Sequence, residues 1–106
     1  MTKYVLTMGL FDKDSHLQEH STLEASKVLN RMVVARLGYG TITEATGIYP
    51  HENGEIVVEP SLRVEILATE DTINDDSVKA LAVEMKTTFN QESILFEKVE
   101  QQADFI

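Results

Sequence analysis

Asn53-Gly54 stands between two extended runs and makes the middle of this chain an antiparallel hairpin. Both residues tolerate the positive φ that a tight turn between right-twisted strands demands. On the C-terminal side the strand is expected to begin near Glu55 and to run to Ala68. Leu62, Val64, Ile66 and Ala68 there alternate with Ser61, Arg63, Glu65 and Leu67, the period of a strand with one buried face. Pro60 has no amide donor and should mark a bulge, a break or an edge. On the N-terminal side Thr41 to Tyr49 is rich in threonine and β-branched residues and reads as the partner strand.

Helices flank this hairpin. Ser21-Thr22-Leu23-Glu24 spells a capping box, with the Ser21 hydroxyl placed to accept from the Glu24 amide and the Glu24 carboxylate to reach back. Leu23, Val28, Leu29, Met32, Val33 and Leu37 then draw a helical stripe, and Gly38 falls where a left-handed cap belongs. Asn74, Asp75 and Asp76 open a second helix with a cap and with negative charge at its positive end. Its apolar face is Val78, Leu81, Ala82, Met85 and Phe89. Outside the helices lie Lys3 to Leu10, with Tyr4, Leu6, Met8 and Leu10 in alternation, and Ser93 to Glu100, which Ala103 to Ile106 is expected to prolong. The order βαββαβ implies an α+β ferredoxin-like split βαβ fold, a four-stranded antiparallel sheet with two helices on one face. The 106 residues suffice for one domain, 1–106, with a core of its own.

The other face of that sheet should be polar, yet Val5, Val57 and Leu67 fall on it. The fourth strand is apolar on both sides, with Ile94 and Phe96 on one and Leu95 and Val99 on the other, and the sequence closes with Phe105-Ile106. Apolar surface on an open sheet marks an interface, so a homo-oligomer is expected through Val5, Val57, Leu67, Leu95, Val99 and Phe105. The charge of −9, from nine basic and eighteen acidic residues, repels nucleic-acid phosphates and anionic lipid alike. Neither direct nucleic-acid binding nor membrane association is expected, and a protein partner fits the field better. No cysteine is present, which removes disulfides, thiolate metal sites and a cysteine nucleophile. Lys3 is followed by only a short apolar run broken by Gly9 and Asp12, so no signal peptide is read and the cytoplasm is the expected compartment.

Catalytic patterns are sparse. His16-Leu17-Gln18-Glu19-His20 spells the inverted zincin motif, but zinc binding by that motif needs both histidines on one helix face, and this segment precedes a helix cap. It reads as loop, and no metal or other cofactor is expected. Asp12-Lys13-Asp14-Ser15 begins like a calcium loop without its glycine and closing glutamate, and reads as a polar turn. Arg63 and Glu65 form an outer-face pair of little energetic weight. Gln91-Glu92-Ser93 stands where a helix ends and a strand begins, where polar side chains satisfy orphan carbonyls or line a pocket.

Gly9, the run Gly40-Thr41-Ile42-Thr43-Glu44-Ala45-Thr46-Gly47, Glu59 with Ser61, and Phe89-Asn90-Gln91-Glu92-Ser93-Ile94-Leu95 together resemble a family of small uncharacterised bacterial proteins, many of lipoprotein type. The resemblance runs from about Tyr4 to Leu95. It implies the same topology and carries no activity with it. Gly47-Ile48-Tyr49 departs from the family's Gly-x-Trp, and no lipobox cysteine is present, so a lipid anchor does not carry over.

Three functions remain from the residues. The first is a non-enzymatic binding or interaction module acting as a homo-oligomer. The second is a small-ligand binder or enzyme with a pocket between sheet and helices, using Tyr49, Glu59, Arg63 and Gln91. The third is an acidic inhibitor of phage or mobile-element type that mimics nucleic-acid phosphate, which needs its acids gathered on one face.

Overall fold

A computed structural model describes residues Met1–Ile106. The elements follow in the order β1 (Thr2–Gly9), α1 (Thr22–Arg36), β2 (Thr41–Pro50), β3 (Ile56–Leu67), α2 (Asp75–Thr88) and β4 (Leu95–Glu100). The sheet order is β2-β3-β1-β4 with every neighbouring pair antiparallel. This is the ferredoxin-like arrangement expected from the sequence.

Register decides which residues meet the helices. Pairing of Tyr4 with Ile66, Leu6 with Val64 and Met8 with Leu62 brings three cross-strand apolar pairs onto one face. Ala25, Leu29, Met32 and Val33 of α1 and Val78, Leu81 and Met85 of α2 close over them in one cluster. Leu23 does not join the stripe: it is 63% exposed, and Ala25 takes the buried position at the start of α1.

The helix ends follow local chemistry. Ser21 Oγ accepts from the Glu24 amide at 3.1 Å, which is one arm of the expected box. The reciprocal box is complete at α2 instead, where Asn74 and Ser77 each accept from the other's backbone amide. Gly38 ends α1 at φ 90°, a left-handed conformation that costs glycine little.

The hairpin loop is wider than a two-residue turn, with Pro50 facing Ile56 as the last pair. The His51 amide donates to Glu55 O at 2.7 Å, and Gly54 sits at φ 84°. Pro60 neither breaks nor bulges β3, since Ala45, Thr46 and Gly47 face Ser61, Pro60 and Glu59 without a skip. It stands where β3 loses its β1 neighbour, because the last β1 pair is Gly9 with Ser61. An absent amide is tolerated there, and the Pro60 carbonyl still accepts from Leu10 at 2.9 Å. From Pro60 outward the hairpin is a two-stranded arm, consistent with overall extents of 45 × 25 × 25 Å. Residues 101–106 form no strand, so β4 ends at Glu100 rather than being prolonged.

The open face carries Lys3, Val5, Thr7 and Gly9 from β1 and their partners on β3 and β4. Val5, expected at an interface, is only 3% exposed within the single chain. Its neighbours across the strands are Glu65 and Glu97. Lys3 and Arg63 both approach Glu65, at 4.0 and 3.7 Å, on the same face of the sheet. No helix of the chain is long and apolar enough to cross a membrane.

Candidate functional site

A cleft of about 460 Å³ opens on the uncovered face, at the end of the sheet where β1 stops. Its floor is Thr7 and Gly9 of β1 with Glu59 and Val57 of β3. Tyr49 and His51 stand on the hairpin side and Leu95 on β4, and the loop after β1 contributes Phe11, Asp12, Lys13 and His16. The junction Gln91-Glu92-Ser93 closes the remaining side.

Glu59 is the centre of this arrangement. Its Oε2 accepts from the Phe11 amide at 2.8 Å, and its carboxylate occupies the space into which a Cβ on Gly9 would project. The glycine is needed here for close approach rather than for φ freedom. Glu59 belongs to no ion pair within the chain. Its charge raises the Tyr49 phenol, adding to the larger effect of burial. Tyr49 is nevertheless 41% exposed, so water screens part of both effects.

The loop walls are held by α2's C-terminus. Asn90, at φ 49°, adopts the left-handed conformation that asparagine tolerates after a helix. That turn aims its amide at Asp12 (3.0 Å to both oxygens) and Asp14 (2.8 Å). Asp12 also accepts from the Ser15 and Asp14 amides. The Ser15 bond foremost, then Asn90, then Asp14, holds its carboxyl below the usual range. Gln91 is buried, and its Nε2 donates to Phe11 O at 3.0 Å and Phe89 O at 3.2 Å. It therefore ties the β1 loop to the end of α2 while lining the cleft.

Of the four residues singled out for a ligand, the structure gathers Tyr49, Glu59 and Gln91 around this cleft and leaves Arg63 outside it, beside Glu65. Phe11, Lys13, His16 and His51 were not foreseen. They lie in loops whose motifs, where they have any, point to other chemistry, and the β1–β3 and β2–β3 registers bring them beside Glu59. His16 and His20 part company: His16 lines the cleft, whereas His20 packs edge-on against Phe89 with ring centroids 5.8 Å apart. Acidic residues occur on every element from α1 to β4 and in each long loop.

Fold and cleft together define a small α+β protein with a carboxylate-centred pocket on the open side of its sheet. The chain belongs to the DUF3574 family, described as proteins of unknown function, whose model matches residues 3–105. Its sequence matches no curated protein. Among solved structures it is similar to a phage SAM lyase in complex with S-methyl-5'-thioadenosine, at 23% identity and a TM-score of 0.69 over 93% of this chain and 80% of that one. The same lyase in its apo state gives 21% identity and a TM-score of 0.71, covering 92% and 78%. The periplasmic divalent cation tolerance protein CutA from Archaeoglobus fulgidus gives 10% identity and a TM-score of 0.61, covering 99% and 88%.

Proposed function

We propose that the Glu59 cleft binds a small organic cation with a flat apolar flank, a sulfonium nucleoside being the model case, in a homo-oligomeric cytoplasmic protein. The observation that carries this reading is a carboxylate fixed by a backbone amide and left without a cationic partner in a cleft. A charge so held costs solvation unless a ligand answers it. The cleft's other charged groups are Asp12, Glu92 and one ammonium, Lys13, so carboxylates outnumber the ammonium at the site. Phe11 and Tyr49 offer aromatic surface for stacking and for a cation over a ring. The volume lies within the range of small-molecule sites. Likeness to a lyase that acts on a sulfonium nucleoside and holds its thioether relative adds support from fold. The exposed open face supports the homo-oligomer, and a cysteine-free sequence suits a reducing compartment.

The test is calorimetric titration of the full chain with S-adenosylmethionine and with S-methyl-5'-thioadenosine. The sulfonium should bind at least about tenfold more tightly, a difference of about 1.4 kcal/mol, and Glu59→Gln should erase that preference. Equal binding of both compounds, or no binding of either, would reject the reading.

A further inference from the structure

The cleft and the exposed apolar surface are one continuous face. Tyr49, Val57 and Leu95 line the cleft, and their cross-strand register places them on the same side of the sheet as Leu67 and Val99. Leu95 is 58% exposed and Val99 42% exposed. The hairpin arm beyond Pro60 is bare on its other side too, where Ile48, Ile56 and Val58 are all more than half exposed. A two-stranded arm of this kind is marginal in water unless something packs on it.

We propose that a second copy of this chain covers the open face and closes the cleft from outside, so that the site is complete only in the assembly. The ligand and the homo-oligomer in this statement rest on the function proposed above; the choice of this face and the closing of the cleft do not. Charge identifies the occupant. The strands of the open face carry two cations, Lys3 and Arg63, against three anions, Glu59, Glu65 and Glu97, and the cleft walls add Lys13 against Asp12 and Glu92. The face is thus only weakly acidic in a chain of charge −9. A surface kept weakly acidic and mixed in sign can meet its own copy without the repulsion that the rest of the molecule would impose, whereas a basic partner would seek the acidic remainder. Area agrees. Four strands about 4.8 Å apart and about nine residues long, the arm included, present a footprint of about 600 Å², approaching the roughly 800 Å² per partner of a standard interface.

The test needs no ligand. The chain has no cysteine, so Ser93→Cys places a single thiol on the cleft wall. Native mass spectrometry should show an oligomer at tens of micromolar, and maleimide should label the thiol at least about tenfold more slowly there than after Leu67→Lys with Val99→Lys. Those two positions lie on the open face and do not line the cleft. If that double variant does not fold, dilution of the Ser93→Cys protein should raise the labelling rate as the oligomer dissociates. A monomer at tens of micromolar, or an oligomer whose thiol reacts as fast as the monomer's, would overturn the proposal. An oligomer with a shielded thiol that binds neither nucleoside would keep the covering and reject only the cationic ligand.

Discussion

The carboxylate of Glu59 rests where Gly9 has no side chain, although fifty positions of sequence separate them. The contact exists because β1 ends against Ser61, which leaves the next open-face residue of β3 to fold its side chain over the strand end. The Phe11 amide then supplies a donor at 2.8 Å. One glycine thus sets the position of the cleft's central charge.

Gly9→Ala should displace that carboxylate and leave the Phe11 amide without its acceptor. We expect a loss of about 1–3 kcal/mol from crowding and the broken bond, read as a lowered thermal midpoint. Binding in the cleft should fall with it. A variant as stable as the parent would show that Glu59 has another comfortable position.

Glu59→Gln retains the shape and an oxygen able to accept from Phe11 but removes the charge. Tyr49's phenol should then ionise at lower pH than in the parent, while staying above its ordinary value because burial is the larger cause. Difference absorbance of phenolate through alkaline pH measures this. An unmoved Tyr49 titration would place the two groups too far apart to share a ligand.

Gln91→Leu keeps volume and removes the donor to Phe11 O and Phe89 O. Two carbonyls at a buried position lose their partner, at a cost of about 1–3 kcal/mol. Hydrogen exchange should quicken at the Asp12 and Lys13 amides, which close the same loop onto Leu17 and Asn90. Unchanged exchange would confine Gln91 to lining the cleft.

Burial first, then the bond to Asp75 at 2.7 Å and its charge, pushes the Tyr4 phenol up to about 12. The unfolded phenol releases its proton near 10. Tyr4 therefore contributes stability that is full below pH 10 and is lost as pH rises through about 12. Asp75 behaves oppositely: its carboxyl is lowered by Tyr4 foremost and then by Lys98, so its contribution is present above the ordinary carboxylate range and lost as pH falls through the folded value. Urea midpoints from pH 8 to 12 should decline less steeply for Tyr4→Phe than for the parent. Parallel declines would refute the assignment.

Much of the fold was legible because its signals are local. Alternation in Leu62 to Ile66, the Ser21 and Asn74 caps and the left-handed Gly38 depend on neighbours within about four residues, and so does the turn at Gly54. Periodicity also assigned each strand's two faces. Less was legible wherever layers decide. Leu23 matches a helical period yet is exposed, because it lies on the side of α1 opposite the buried Ala25, and Val5 on the open face is only 3% exposed. Tyr49, Glu59 and Gln91 could be chosen by chemistry, but nothing in their spacing says that they share a cleft or that Arg63 stands apart from it.

The sequence alone determined the elements, their order and the sign of the molecule's charge, since backbone preference and side-chain period act along the chain. Tertiary structure alone decided that Gly9, Phe11, His16, His51 and Glu59 meet. Their meeting depends on where β1 runs out against β3 and on the α2 terminus that holds the loop through Asn90 and Gln91. Such contacts join residues tens of positions apart, and they arise only when whole strands settle into one register under the burial of the shared core.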